Sequence, residues 1–250
     1  MKQSIRAEAV TGLLVALRER RPTILCLGAD RSSSISRAVR AVGAKAVHKT
    51  IGDVSRSIAG VDVLLLSPMS ANAAGRRLMD EALAAARHRG MPVVVDLTGI
   101  LKLRRSLLPV RRMIAAATWP VVSTTSNELA AFADPAGKRM DPVRLAAEVL
   151  QSGGIAAIRG STGLVTDGKS AVRVAGHRWL ETAAPAGGLT AASIAAFLSV
   201  AHLADFMIVT SVALACVGQA SGRAARHTKS QAMESLVVKE LGALSAGASR

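Results

Sequence analysis

Two hydrophobic rhythms alternate along this chain of 250 residues. Short unbroken apolar runs, bounded by Gly, Pro or polar residues, recur at "PTILCLG" (22–28), "VDVLLLSP" (61–68), "MPVVVDLTG" (91–99), "WPVVSTT" (119–125) and "IAAIRG" (155–160). Runs of that length predict strands buried on both faces. Between them apolar residues return every three or four positions. That spacing predicts helices over 4–20, 33–44, 72–90, 105–117, 126–133 and 141–154. Asp141 and Pro142 read as the N-cap and first helical residue of the last of these. "KAVHK" (45–49) predicts an edge strand, and 51–60 a short helix or turn. Residues 163–180 predict a hairpin turning at Asp167-Gly168. A glycine turn at 184–188 and a long helical region follow. The apolar run at 206–218 is shorter than the roughly 20 residues a membrane span needs, so it predicts a buried helix. The tail "SAGASR" (245–250) reads as disordered, and 1–250 as a single domain.

Strands alternating with helices imply an α/β fold, a mostly parallel sheet with helices on both faces. Ligands in such sheets sit beyond the carboxyl ends of the strands. Asp96, Ser123 to Thr125 and Gly160 fall at such ends, and so does the expected loop at 184–188.

Composition adds two constraints. Half of the residues are hydrophobic but only 2% are aromatic, with no Tyr, so the core is built from Ala, Val, Leu and Ile. The formal charge is +15 and the pI about 11.3. A charge of that size attracts polyanions, an RNA or ribonucleoprotein partner among them. GC-rich coding, which raises Arg and Ala together, is the competing account. Basic residues cluster, as in "LKLRRSLLPVRR" (101–112), while stacking aromatics are scarce, so binding is expected to act through phosphates. Cys26 and Cys216 lie in apolar runs and read as buried thiols, with no disulfide or zinc spacing. His48, His88, His177, His202 and His227 are scattered without ligand spacing. "RSSSISR" (31–37) reads as a helix N-cap and "GRAARHTKS" (222–230) as a solvated basic turn. Glu8 and Glu19 argue against a transit peptide at the N-terminus. With no secretory or membrane-spanning segment expected, the setting is the cytoplasm or an organelle matrix.

Several blocks resemble the hydroxyethylthiazole kinase family of the ribokinase-like superfamily, over roughly 12–245. "LLVALRERRPTILCLGAD" is similar to that family's opening helix and strand, "AVGAK" to its "ALGAS" turn, "GMPVVVDLTG" to "GKPVVLDPVG" and "TTSNELAAFA" to "RGNAGEIAALA". The longest block, "GLVTDGKSAVRVAGHRWLETAAPAGGLTAASIAAFLSV", aligns without a gap and retains the "VTDG" hairpin (165–168). The resemblance implies a three-layer ribokinase-like fold, a homotrimer with the thiazole site between subunits, and phosphate transfer from ATP, with Mg, to a thiazole alcohol in thiamine biosynthesis and salvage.

Carried over residue by residue, the family's site is eroded. Its "GTGC" anion hole falls on Pro185, Ala186, Gly187 and Gly188. The last position, where related kinases place an Asp, is Gly188, and Pro185 lacks an N–H. The substrate-side Met falls on Ser32, with Pro185 the second substrate-side equivalent. The ATP-contacting Arg falls on Ser123, the Asn after it on Thr125, and the ATP-contacting Thr on Arg159, next to Gly160, with Ser161 in place of a Glu. Asp96 and Glu128 match acidic positions near the metal–phosphate region, a chemistry suited to Mg. No catalytic residue of the family is intact. The resulting expectation is a non-catalytic structural or scaffold subunit on a polyanionic, RNA-rich assembly. The alternative is an active kinase of 4-methyl-5-(2-hydroxyethyl)thiazole, and an unrelated activity on the same fold stays open.

Overall fold

A computed structural model describes residues 7–29, 33–49, 58–68, 71–102, 107–133, 141–151, 153–228 and 232–247. Eight strands form one sheet: β1 (Thr23–Leu27), β2 (Lys45–His48), β3 (Val63–Leu66), β4 (Val93–Asp96), β5 (Val121–Thr125), β6 (Ile155–Arg159), β7 (Thr162–Thr166) and β8 (Ala171–Ala175). Their order is β2-β1-β3-β4-β5-β6-β7-β8. Strands β1 to β6 are parallel, and β7 and β8 add an antiparallel hairpin at one edge.

The helices are α1 (Ala7–Arg20), α2 (Ser34–Ala41), α3 (Ala73–His88), α4 (Leu107–Ala116), α5 (Ser126–Ala133), α6 (Pro142–Val149), α7 (Trp179–Thr182), α8 (Ala184–Leu198), α9 (Phe206–Ala224) and α10 (Met233–Gly247). Side chains of a strand alternate between the two faces of a sheet. Cys26, Leu65 and Val94 therefore point into one core with α1, α2, α8, α9 and α10, and Leu25, Leu64 and Val95 into another with α3 to α6. Burial on both faces explains why these strands read as continuous apolar runs.

The expected caps hold. Asp141 accepts the Val143 N–H at 3.2 Å, with Pro142 in the first turn of α6. Ser33 caps α2 through the Ser36 N–H. Asp167 turns the hairpin by accepting the N–H groups of Lys169 and Ser170 at 2.8 and 2.7 Å, and Gly168 takes φ +84°. Half-buried His48 lies between Ser36 and the Ala29 carbonyl, at 2.6 and 2.8 Å, and bridges the two.

Two expectations change. Residues 184–188 are not a loop: they form the first turn of α8, and Gly187 and Gly188 are buried. A proline in the first turn of a helix presets φ where no donor is needed, which starts the helix earlier than the glycines suggest. At the other end, α10 continues through Gly247 with Ser245 buried, so 245–247 are helical rather than tail. The 206–218 run lies within α9, which is long and apolar enough to cross a membrane. Val212, Ala213, Leu214 and Val217 of this helix are fully buried in the core. Helix α8 packs through fully buried Ala191, Ala192, Ala195 and Ala196, whose small side chains allow close approach to the sheet. Residues 51–57 and 103–106, part of the expected turn and of the basic cluster, lie outside the described residues.

Candidate functional site

The carboxyl ends of β4, β5 and β6 converge where α5 and α8 begin. Register places Asp96 beside Ser123 and Thr125 beside Arg159. All four are buried.

Asp96 ends β4. Its Oδ1 accepts the Thr98 N–H at 3.0 Å and the Thr98 hydroxyl at 2.5 Å, a turn in which a carboxylate caps the backbone two residues on. Burial raises its pKa, against the lowering effects of the Arg159 charge and the Thr98 hydrogen bonds, and the Glu128 charge adds to the rise. The folded chain therefore holds this proton more tightly than the unfolded chain does. The stabilising contribution is present at low pH, and is lost as pH rises from the ordinary carboxylate range through the raised folded value. Asp96→Asn removes this dependence, while its amide oxygen still accepts from Thr98. In urea melts between acid and neutral pH the variant is expected to gain on the parent as pH rises. A constant difference would refute a raised folded pKa.

Glu128 is the most heavily bonded side chain of the site. Its Oε2 accepts the Thr125 N–H at 2.9 Å, the Thr125 hydroxyl at 3.0 Å and Arg159 Nη2 at 2.9 Å. Its Oε1 accepts the Gly99 N–H at 2.9 Å. In return Thr125 Oγ1 accepts the Glu128 N–H at 3.2 Å. Thr125-Ser126-Asn127-Glu128 is thus a capping box at the start of α5. The T-x-x-E spacing states this in the sequence, and the resemblance to an acidic metal-site position hid it. Arg159 is 3% exposed, and its Nε donates to the Leu180 carbonyl at 3.1 Å. A β6 residue thereby joins the sheet end to α7.

Ser123 is fully buried with Oγ unpartnered among the described residues, as are Ser67 Oγ beyond β3 and Arg159 Nη1. Gly160 directly follows β6, and its carbonyl accepts the His177 N–H at 3.0 Å. Ser161 Oγ binds Glu181 instead, at 3.1 Å on the surface. Ser32 lies outside the described residues.

The start of α8 completes the site. Ala183 is its N-cap and makes no side-chain cap bond, and the Ala186 N–H turns back to the Ala183 carbonyl at 3.1 Å. Pro185 has no N–H to offer. Of the four anion-hole equivalents, the glycines are the informative pair. A Cβ on Gly187 would lie 1.7 Å from Thr98 Oγ1. A Cβ on Gly188 would lie 2.9 Å from Ile35 Cγ1 and 3.2 Å from Ser34 Oγ. Both glycines serve close packing of α8 against Thr98 and the start of α2. Neither Thr98 nor Ile35 was legible as part of the site, because both contacts depend on tertiary register.

A divalent ion needs several oxygen donors, commonly carboxylates together with phosphate. Both oxygens of Glu128 are occupied, Asp96 Oδ1 is committed to Thr98, and no group of three His, Cys, Asp or Glu among the described residues is placed to hold a metal. The two acids that the resemblance assigns to Mg are thus engaged by the protein itself, Glu128 through both oxygens and Asp96 through Oδ1.

No family model matches the chain. Hydroxyethylthiazole kinase of Halalkalibacterium halodurans is 29% identical over 232 residues, covering 86% of this chain and 87% of that protein. Among solved structures, hydroxyethylthiazole kinase of Pyrococcus horikoshii OT3 superposes with a TM-score of 0.83 at 21% identity, covering 94% of this chain and 93% of that one. A ribokinase-like superfamily protein of Enterococcus faecalis gives 0.66 at 10% identity, covering 99% and 92%. The chain is similar to hydroxyethylthiazole kinases over most of its length and has the ribokinase-like fold that the sequence led us to expect.

Proposed function

We propose that the chain is a hydroxyethylthiazole-kinase-like protein that does not transfer phosphate and acts as a structural subunit on a polyanionic, RNA-rich assembly. One observation carries the first half. By the resemblance the family's catalytic position falls on Gly188, and a Cβ there would lie 2.9 Å from Ile35 Cγ1. A missing general base costs roughly 10²–10⁴ in rate. Here the loss extends to the surroundings, because Arg159 and Glu128 neutralise each other inside the site. The +15 charge supports the second half.

The test is Mg-ATP with 4-methyl-5-(2-hydroxyethyl)thiazole. The expected result is no phosphorylated product above the protein-free background, and no heat of ATP binding in calorimetry. Turnover would overturn the reading. Gly188→Cys alone is not expected to create activity, since its Cβ meets Ile35, whereas pairing it with Ile35→Ala makes room.

A second reading, an active thiazole kinase, has its own support. The named relatives are kinases, and buried Ser123 Oγ and Arg159 Nη1 are donors that a phosphate would satisfy. The same assay decides between the two.

A further inference from the structure

The end of the sheet opposite Asp96 and Gly188 carries a different chemistry. There, the starts of β1 and β2 are in register at Thr23 and Lys45. A concavity of about 570 Å³ opens beside them, lined by Arg18, Arg21, Arg40 and Lys45, with Glu19 as its acidic member. A second concavity, of about 220 Å³, is lined by Arg111, Arg112, Gln151 and Gly153, with Glu148 as its acid. Exposed Arg87 and Arg89, at the C-terminal end of α3, belong to the same end of the sheet. Lys45 on β2 and the start of β5 are four strand spacings apart, roughly 19 Å at the usual 4.7–4.9 Å spacing.

Trp119 stands just before β5. It is 47% exposed in a chain with two Trp and no Tyr. Its φ is +53°, in the left-handed region that a bulky residue seldom adopts. Its ring edge rests over Gly153, whose added Cβ would lie 3.9 Å from Trp119 Cη2 and Cζ3. Cations in the last turn of a helix are favoured by the helix dipole, which accounts for Arg18, Arg40 and Arg87. Arg21, whose N–H still bonds the Leu17 carbonyl at the end of α1, belongs with them. The dipole does not account for Lys45 at the start of β2, and it gives no reason to hold an indole open against Gly153, which lines the same concavity as Arg112.

We propose that this end of the sheet binds a single-stranded nucleic acid. Phosphates lie along the cations, and a base stacks on Trp119. Charge favours a polyanion, and the exposed indole beside the cations selects nucleic acid from other polyanions. The proposal deepens the scaffold reading by naming its surface. Its test does not involve the kinase assay, so the two can fail separately.

The experiment is fluorescence anisotropy of the full chain with a labelled uridine oligomer of roughly 12 nucleotides, within the range of known single-strand sites. Binding is expected to weaken steeply as salt rises. Trp119→Leu is expected to weaken it about tenfold, and Trp119→Phe to retain most of it. The triple variant Arg21→Glu, Lys45→Glu, Arg112→Glu should abolish binding and flatten the salt dependence. Circular dichroism and melting curves check that each variant folds. A matching deoxy-oligomer binding within a few-fold fits a surface with no sugar-specific contact. Undiminished binding by Trp119→Leu would overturn the proposal. So would equal affinity for polyglutamate, anionic vesicles or duplex RNA, because an acidic protein, a membrane or a helical backbone would then serve as well.

Discussion

Arg159→Met is expected to destabilise the folded chain by about 3–5 kcal/mol, the usual cost of removing one member of a buried ion pair. The partner left behind is Glu128, with its side chain 8% exposed. Its remaining donors, the Gly99 and Thr125 N–H groups and the Thr125 hydroxyl, are neutral. Those bonds hold the carboxylate in place, and among the described residues Arg159 is the cation paired with its charge. The substitution also removes the Nε donor to Leu180 and so loosens α7, which leads directly into α8. Chemical denaturation reads the loss as a lower midpoint. The double variant Arg159→Met, Glu128→Gln isolates the electrostatic part. A neutral amide keeps an acceptor for the capping box, so the double variant is expected to recover a large share of the stability. If both variants melt alike, the charge of Glu128 is not the cause and the packing of Arg159 is. A loss below about 1 kcal/mol would place the pair in the class of solvent-screened surface bridges and contradict its burial.

The pair also shows where sequence reading stops. The strands were legible because a strand buried on both faces must be apolar throughout, and the caps at Asp141 and Asp167 because their chemistry is local. Thr125 and Glu128 were equally legible as T-x-x-E, yet Glu128 was assigned to a metal through its match to an acidic family position. What no local pattern contains is Arg159. It lies 31 residues from Glu128 and reaches it only because β5 and β6 pair with Thr125 opposite Arg159. Trp119 was hidden differently. Its neighbours mark a strand start, and only the fold reveals that its ring stays exposed against Gly153, which lines one concavity with Arg112. The glycines at 187–188 were misread as a turn because composition does not distinguish glycine used for conformational freedom from glycine used for close approach. Neither has a positive φ among those recorded for the described residues, and both are crowded by neighbouring side chains.

Gly187→Ala turns that distinction into a measurement with an unusual sign. Inside a helix, Gly→Ala ordinarily stabilises by roughly 0.5–1 kcal/mol, because alanine loses less backbone entropy on folding. At Gly187 the added methyl would lie 1.7 Å from Thr98 Oγ1, 2.8 Å from Thr98 Cβ and 2.9 Å from Thr98 Cγ2. Rotation of the Thr98 side chain relieves the first contact but not the second, since Cβ does not move with χ1. Either α8 or the 97–99 turn must shift. Shifting the turn breaks the Thr98 bonds to Asp96 and disturbs the Gly99 bond to Glu128. Overpacking costs about 1–3 kcal/mol, and the hydrogen bonds to charged carboxylates about 1.5–3 each. The expected net effect is a loss of about 3 kcal/mol or more, opposite in sign to helix propensity. Thr98→Gly in the same chain removes the clashing atoms, so in that background Gly187→Ala should cost little. Gly12, on the exposed side of α1 with no atom near its added Cβ, is the control, and Gly12→Ala should stabilise as propensity dictates. If Gly187→Ala also stabilises, α8 does not pack on Thr98 at this distance.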